Sequence, residues 1–375
     1  MPLLLPKDTT KIDDVLDMLR NALEHIPVRH LSPVDSMVDS KEQYVLARLA
    51  SGRYSIKPNI TRQGLLFRGD SRKHTPFYSR FGQEQIIGHG GDVRKKIIPI
   101  NVKRSDFEIA IESFPLYQML KRGVALPNGK KLVMEIPFGL AYAYDHPTPF
   151  IGLSSDLDVA AFYAVTEYNA RTQKYKPVTE GQGVLYAFEL RFPFSMTIGL
   201  TTLGRLVFPR TINQKTFLLN ISPEMDFNKG AVVTGFVFNH DAEMSQRIFD
   251  RFKGGELLAP SDDFLLKKLQ SFPEGMVSKK AVLRNLAENK GDKARDIIMT
   301  LHEADVRIAD GFDPTFTKDE LSCVYKDIAG YWQNMIKDAY VDGRHGEEIK
   351  KYLMELPWNP NYSVYFDLNK YFDAR

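Results

Sequence analysis

The sequence predicts an α+β protein with a mixed or antiparallel sheet between N-terminal helices and a helical C-terminal part. Apolar runs with strand character are concentrated between residues 65 and 238. From Asp241 onward, apolar residues recur at helical spacing, interrupted by proline and glycine. We therefore divide the chain into a helical lead-in at 1–58, a central domain at 59–258 and a helical region at 259–375.

The lead-in is expected to contain two helices that pack on the central domain. Residues 10–26 place apolar side chains at the i, i+3, i+4, i+7 spacing, and Thr10 is a suitable N-cap. Residues 40–50 begin with Ser40 and Gln43 in a capping-box arrangement and end before Gly52.

The central domain begins with Leu65-Leu66-Phe67-Arg68-Gly69-Asp70, which predicts a buried strand ending in a charged residue and a flexible one. The planar fork of arginine can hold a phosphate or carboxylate by two parallel hydrogen bonds. From Thr61 to Arg104 the chain carries ten Lys and Arg residues against three Asp and Glu residues. This local excess of positive charge favours an anionic ligand nearby.

The remaining elements are predicted from apolar pattern and capping signals. A long polar loop is expected at 70–96, in which Gly88-His89-Gly90-Gly91 either is a flexible turn or lets backbone amides approach a phosphate. A helix is expected from Ser105 to Arg122, which Pro115 should kink or split. Residues 131–144 are expected to be partly helical, and 150–153 to form a strand before a helix capped by Ser155 and Asp158. Further strands are expected at 184–190, 205–208, 216–221 and 232–238, and helices at 241–252, 261–270, 278–289, 292–307, 317–339 and 346–355.

Composition narrows the classes of function. A net charge of +3 and a pI near 8.6 are too mild to indicate nucleic acid or an anionic membrane, and the basic segment lacks the aromatic-basic alternation of a nucleic-acid binder. No run has the length of a membrane span, and the eight histidines lack metal-ligand spacing. Cys323 lies in a helical pattern, which predicts a buried structural thiol. A single cysteine fits a reducing compartment, so we expect a cytoplasmic protein.

Three blocks of sequence together resemble the FRG-domain family, named after its Phe-Arg-Gly motif. The first is Phe67-Arg68-Gly69, followed by Pro76-Phe77-Tyr78-Ser79-Arg80. The second runs from Pro147 to Ser154 and continues in Ala160-Ala161-Phe162-Tyr163-Ala164. The third is Arg210-Thr211-Ile212-Asn213-Gln214-Lys215-Thr216-Phe217. The resemblance covers about residues 60–225.

The order of the blocks is also similar to the Arg-Ser-Glu class of ADP-ribosyltransferases, which implies a fold like theirs and NAD as cofactor. In that class an arginine grips the NAD diphosphate or ribose, a serine fixes the nicotinamide-side sugar, and a glutamate stabilises the oxocarbenium-like transition state. The resemblance gives the first two roles to Arg68 and Ser154 and places Gln214 third. A neutral side chain cannot stabilise developing positive charge as a carboxylate does. The nearby Glu189, Glu224 and Glu243 lie outside the motif, so catalysis stays an open question.

The resemblance implies further contacts to the nucleotide from residues in or beside the three blocks, namely Phe67, Gly69, Arg80, Tyr144, His146, Thr148, Ser155 and Phe162. The expected protein binds NAD or a related small anionic nucleotide. Transfer of ADP-ribose or cleavage of NAD would be its reaction, and a bacterial toxin or phage-defence effector its setting.

The alternative is a non-catalytic ligand- or protein-binding module whose C-terminal helices dock a protein partner. Each proposed catalytic residue also has a structural alternative. Arg68 could pair internally with Asp70 or Asp158, Ser154 could cap a strand end, and Gln214 could satisfy buried backbone groups. Convergence of these three residues on one cleft is the geometric test of the enzyme hypothesis.

Overall fold

A computed structural model shows an α+β protein built around a six-stranded antiparallel sheet. It describes residues 11–25, 36–37, 44–48, 54–58, 64–87, 93–114, 117–118, 121, 124–125, 131–133, 137–169, 172, 174–190, 200–203, 208–230, 232–289, 291, 293–321 and 323–324. The strand order in the main sheet is β11-β12-β7-β4-β10-β13, and every neighbouring pair is antiparallel. The predicted fold class is confirmed at this level.

The strands have the following bounds: β1 Ser36–Met37, β2 Tyr44–Arg48, β3 Tyr54–Pro58, β4 Leu65–Asp70, β5 Val124–Ala125, β6 Lys131–Leu132, β7 Phe150–Ser154, β8 Thr166–Asn169, β9 Lys174–Pro177, β10 Gln182–Glu189, β11 Leu200–Thr202, β12 Thr216–Asn220, β13 Val233–Asn239, β14 Met276–Ser278 and β15 Arg307–Ala309. A second sheet has the order β1-β2-β3-β6-β5, while β8 pairs with β9, and β14 lies parallel to β15.

The helices have the following bounds: α1 Ile12–His25, α2 Arg80–Ile87, α3 Val93–Glu112, α4 Pro137–Ala143, α5 Leu157–Val165, α6 Pro209–Asn213, α7 Ala242–Arg251, α8 Phe264–Gln270, α9 Lys279–Glu288 and α10 Ala294–Glu303. Short 3₁₀ turns occur at Phe227–Lys229 and Lys253–Gly255, and residues 318–321 and 323–324 are helical. Among the described residues no helix combines the length and the apolar character that crossing a membrane requires.

The two faces of the main sheet are covered by different layers. On one face, Leu65 and Phe67 of β4 join a core cluster with α1, α5 and residues of β10 and β13. On the other, Leu66 joins a larger cluster that includes Phe107 of α3 and Phe264 of α8. This alternation follows from the two-residue period of a strand, and it explains why β4 is apolar at three consecutive positions.

The helices after residue 258 pack on the central elements. Phe264 and Phe316 belong to the larger sheet core, and Ile297 and Leu301 of α10 share a third cluster with Val102 of α3. Asp106 of α3 accepts hydrogen bonds from the backbone N–H and the hydroxyl of Ser278, the N-cap of α9. The three-part division of the chain stays a prediction, and the contacts across residue 258 are extensive.

The second helix predicted near the N-terminus was wrong. The helix expected at 40–50 contains β2, which pairs with β3 in the register Leu46↔Ile56. Tyr44 and Val45 have the aromatic and β-branched side chains that favour strands, and pairing outweighed the capping signal. Within the described part of the lead-in, α1 is the one helix, which confirms the first predicted helix.

The polar loop expected at 70–96 contains α2 and the start of α3. Helix α3 begins at Val93, so Ser105 lies inside it rather than at its N-cap. The Ser105 hydroxyl donates to the carbonyl of Asn101, a bond available to a serine within a helix, and the apparent capping box was therefore misleading. Gly88-His89-Gly90-Gly91 and Pro115 lie outside the described residues.

Other differences are local. Asp156 rather than Ser155 or Asp158 is the N-cap of α5, and it accepts from the N–H groups of Asp158 and Val159. Residues 131–132 form a strand before α4, and Phe208 of the strand expected at 205–208 is the N-cap of α6. The helix expected at 292–307 ends at Glu303 and is followed by β15. Cys323 is exposed, contrary to the predicted buried thiol. The helix predicted at 346–355 lies outside the described residues.

Candidate functional site

A cavity of about 590 Å³ lies beside β4 and β7 at the centre of the main sheet. Described pairing between these two strands is limited to one position, Phe67↔Ser154. Beyond that position the side chain of Arg68 extends from β4 to the carbonyl of Gly152 on β7. The cavity takes its walls from both strands, from α5, and from the β8–β9 hairpin.

Gly69 determines how closely α5 packs on β4. A Cβ atom at this position would lie 1.8 Å from the carbonyl oxygen of Ala160 and 2.5 Å from the backbone nitrogen of Ala164. No residue with a side chain fits there, so the glycine after Arg68 and the alanines of α5 form one packing unit. This contact gives a physical reason for the first and second sequence blocks to occur together.

Arg68 is bound by groups of the protein itself. Its Nε and Nη2 atoms donate to the two carboxylate oxygens of Asp70 at 2.8 Å each, and Nη1 donates to the Tyr142 hydroxyl at 3.0 Å and to the Gly152 carbonyl at 3.1 Å. Gly152 leaves the room that the Tyr142 ring occupies, because a Cβ atom would lie 2.4 Å from it. Burial opposes the charge on Arg68, but Asp70 outweighs it and raises the pKa of the guanidinium.

Ser154 and Gln214 are also engaged internally. The Ser154 hydroxyl donates to the backbone carbonyl of Gln214 at 2.7 Å and accepts from the N–H of Asp156 at 3.0 Å. The side-chain amide of Gln214 donates to the carbonyl of Leu258 at 3.2 Å. Arg68, Ser154 and Gln214 therefore do line one cavity, as the enzyme hypothesis required, but each makes the contacts of its structural alternative.

Three of the residues expected to bind the nucleotide, Phe67, Gly69 and Arg80, also line the cavity. Of these, Arg80 has the most exposed side chain, at 55%. Phe67 is fully buried, so it packs in the core of the sheet as well as lining the cavity.

The other five expected residues are not among those lining this cavity. Tyr144 is buried and donates its hydroxyl to Asp263 at 2.8 Å, while Thr148 is buried beside the start of β7. Ser155 donates its N–H to the carbonyl of Lys215. Phe162 is fully buried against Tyr163 and Tyr175.

His146 packs its ring against Phe107 with centroids 4.8 Å apart. Burial, and then the positive charges of Arg104, Arg80 and Lys103, lower the pKa of His146 to about 4. The ring is therefore neutral at pH 7.

Sequence reasoning missed most of the cavity's polar wall. Four arginines line it in all, since Arg72 and Arg210 join Arg68 and Arg80. Arg210 lies in the third sequence block and Tyr163 in the second. Membership of these blocks was the only feature of the sequence that could have pointed to either residue. Four tyrosines also contribute, namely Tyr142, Tyr163, Tyr168 and Tyr175.

Three of these tyrosines, Tyr163, Tyr168 and Tyr175, form a continuous aromatic surface. The rings of Tyr168 and Tyr175 have centroids 4.9 Å apart, and those of Tyr163 and Tyr175 are 6.0 Å apart. Burial raises the pKa of Tyr163 well above its ordinary value, and it raises the pKa of Tyr175 to about 12, with the charge of Asp145 adding to the effect. These hydroxyls are protonated at pH 7, and those of Tyr163 and Tyr175 are hydrogen-bonded to each other.

The cavity contains carboxylates, but not the glutamates that the sequence offered for the third catalytic role. Glu189, Glu224 and Glu243 are not among the lining residues. The carboxylates that line it are those of Asp70, Asp145 and Glu167, against four arginines. Glu167 pairs with Arg72 at 2.5 Å and Lys176 at 3.4 Å, so the cations hold its pKa below the usual range although burial opposes this.

Within the described residues no group of three or more histidine, cysteine, aspartate or glutamate side chains is arranged to hold a metal ion. The polar groups of this cavity are suited to hydrogen bonding and to charge pairing with an anion. Comparison of the chain with protein-family models, with curated proteins and with solved structures gives no match.

Proposed function

We propose that the cavity beside β4 and β7 binds NAD or a related anionic nucleotide. The observation that carries this proposal is the wall itself, where four arginines and four tyrosines line one cavity of about 590 Å³. A nucleotide combines phosphate groups with a planar heteroaromatic ring. Arginine side chains suit the phosphates, and tyrosine rings offer faces on which a base can stack.

The choice of NAD within this class rests on the resemblance to FRG-domain proteins and to the Arg-Ser-Glu class of ADP-ribosyltransferases. An ADP-ribosyltransferase-like fold for the central domain belongs to the same proposal. The cavity volume lies in the range of ordinary ligand pockets, which supports a ligand of nucleotide size.

The contacts favour binding over turnover. Arg68, Ser154 and Gln214 would be the catalytic residues of the transferase hypothesis, and each already has internal partners. The carboxylates on the wall are paired with cations, which reduces their ability to stabilise a developing positive charge. We therefore propose a nucleotide-binding protein, with ADP-ribose transfer or NAD cleavage as the reaction to be tested.

The experiment measures NAD binding by isothermal titration calorimetry and nicotinamide release by chromatography on the same samples. Tyr168 lines the cavity and is 37% exposed, so Tyr168→Ala should remove a stacking face, together with the contact of its hydroxyl with Arg210, without disturbing the core. We expect about ten-fold weaker binding, the loss typical of one base-stacking contact. Phe312→Ala is the control, because it removes a half-buried aromatic ring that does not line the cavity.

A folded wild-type protein that binds no NAD, AMP or ADP would overturn the proposal. Nicotinamide release by the wild type would instead establish turnover. Loss of that release in a folded Ser154→Ala variant would then return Ser154 to a catalytic role.

A further inference from the structure

Asp145 occupies a backbone position that normally belongs to glycine. It follows the C-terminal end of α4, with its N–H donating to the carbonyl of Tyr142 at 3.2 Å and the N–H of His146 donating to that of Ala141 at 3.0 Å. This pair of bonds is the Schellman motif, in which the residue at the Asp145 position adopts the left-handed conformation. The φ angle of Asp145 is 65°, as the motif requires.

An aspartate carries two costs there. A non-glycine residue in the left-handed region is strained, although aspartate tolerates it better than most. A carboxylate at the C-terminal end of a helix also faces the negative end of the helix dipole. The helix end alone would therefore favour a glycine, and the benefit of the aspartate must come from what its carboxylate contacts.

The carboxylate lies between two arginines that come from other elements. Its Oδ1 is 3.8 Å from Nη1 of Arg80 on α2, and its Oδ2 is 3.6 Å from Nη1 of Arg210 on α6. Both distances exceed those of a charge-assisted hydrogen bond, which are about 2.7–2.9 Å. The carboxylate compensates the charge of both guanidinium groups without closing a hydrogen bond to either.

Arg210 retains unused hydrogen-bonding capacity. Its side chain is 8% exposed, and its Nη1 donates to the carbonyl of Ala143 at a long 3.3 Å. Its Nε is buried without a hydrogen-bond partner. Arg68, in contrast, donates four hydrogen bonds within the protein. Arg210 is more deeply buried than Arg68, and although it also contacts the Tyr168 hydroxyl and the Tyr144 ring, its Nε donor is left without a hydrogen-bond partner.

We propose that Arg80 and Arg210 form the phosphate subsite of this cavity, and that Asp145 occupies it as an internal counterion which the ligand displaces. This inference rests on the proposed function for the identity of the ligand. A phosphate group fits because its several oxygens can reach both guanidinium groups, whereas the single carboxylate remains beyond hydrogen-bond distance of each.

Displacement requires that the counterion can leave and that the arginines stay. The side chain of Asp145 is 59% exposed, so its carboxylate can turn toward solvent, and the Arg80 side chain, at 55%, is free to adjust its position. The Arg80 side chain is also anchored, since its Nη1 donates to the backbone carbonyl of Asp145 at 2.9 Å. The buried Arg210 is the fixed half of the subsite, and Arg80 is its adjustable half.

The test uses inorganic pyrophosphate as the probe, measured by isothermal titration calorimetry at fixed ionic strength. Asp145→Asn removes the competing charge and keeps a side chain that tolerates the left-handed conformation. We expect about five-fold tighter binding, because the ligand no longer competes with an internal anion. Arg80→Ala should weaken binding about ten-fold. Glu180→Gln, which removes one exposed negative charge away from the cavity, is the matched control and should leave affinity within about two-fold.

Wild-type affinity in Asp145→Asn, or equal tightening by Asp145→Asn and Glu180→Gln, would overturn the inference. So would a wild type and an Asp145→Asn variant that both fail to bind pyrophosphate while remaining folded by circular dichroism. Parallel titrations with NAD separate the two proposals. Pyrophosphate binding that depends on Asp145, without NAD binding, would overturn the proposed nucleotide and keep the phosphate subsite. NAD binding that is unchanged in Asp145→Asn and Arg80→Ala would keep the nucleotide and overturn the subsite.

Discussion

Arg68 and Asp70 form a two-bond ion pair on one strand, with Nε and Nη2 of the arginine each 2.8 Å from a carboxylate oxygen of the aspartate. The two residues are two positions apart on β4, so their side chains leave the same face of the sheet. The pair uses two of the five N–H donors of Arg68, and two more go to the Tyr142 hydroxyl and the Gly152 carbonyl. In this state Arg68 is a structural cation of the cavity wall, and an anionic ligand would have to compete with Asp70 for it.

Removal of Arg68 should therefore affect stability before it affects ligand binding. The side chain of Asp70 is 14% exposed, so Arg68→Ala leaves a largely buried carboxylate without its counterion, which we expect to cost about 3 kcal/mol of unfolding free energy. Urea denaturation followed by circular dichroism measures this. The double variant Arg68→Met/Asp70→Asn should recover part of the loss, because it removes both charges. A double variant no more stable than Arg68→Ala would show that the ion pair is not the cause.

The glycine of the Phe-Arg-Gly motif should tolerate no side chain. Gly69→Ala places a Cβ atom 1.8 Å from the Ala160 carbonyl oxygen, and since backbone cannot yield there, we expect a loss of more than about 4 kcal/mol or failure to fold. Gly291→Ala is the matched control, because its Cβ would meet nothing within 4 Å, and its expected effect is within about 1 kcal/mol of zero. Thermal unfolding of both variants measures the difference. Similar melting temperatures would contradict the packing argument.

The local sequence pattern was sufficient to predict an element where burial and intrinsic propensity agreed. The helical spacing of apolar residues predicted α1 within two residues at each end, and apolar runs predicted β4, β7 and β10. These segments are buried against the sheet or within it, so burial and propensity favour the same structure.

The failures occurred where the deciding partner was distant or the local signal was ambiguous. Tyr44–Arg48 is a strand because it pairs with β3, and the helical capping signal at Ser40 could not reveal that pairing. Ser105 hydrogen-bonds to a backbone carbonyl within α3, although its sequence context is that of a helix N-cap. At the site, the presence of an aspartate at position 145 is explained by its charge contacts with Arg80 and Arg210, each 65 residues away in the chain. No motif connects three residues that meet through folding alone.

Cys323 is exposed, in contrast to the predicted buried thiol, and this difference can be measured directly. Its neighbour Val324 is 5% exposed and belongs to the larger sheet core. We expect the single thiol of the native protein to react with a thiol reagent such as DTNB at a rate within about ten-fold of that in urea, because no unfolding is needed to reach it. A reaction that proceeds only as fast as global unfolding would mean that the thiol is covered.

His146 should make stability fall as the pH is lowered. Its pKa in the folded protein is about 4, below the ordinary value of 6.5, so the folded state binds fewer protons than the unfolded state between these two values. Stability therefore rises with pH across this window, and acidification from pH 6.5 to 4.5 should cost about 2 kcal/mol from this group.

Urea unfolding over that range, compared between wild type and His146→Phe, isolates the contribution of His146 from those of other titrating groups. The phenylalanine keeps a ring against Phe107 and cannot take up a proton, so its stability curve should be flatter. Parallel curves for the two proteins would assign the acid sensitivity to other residues.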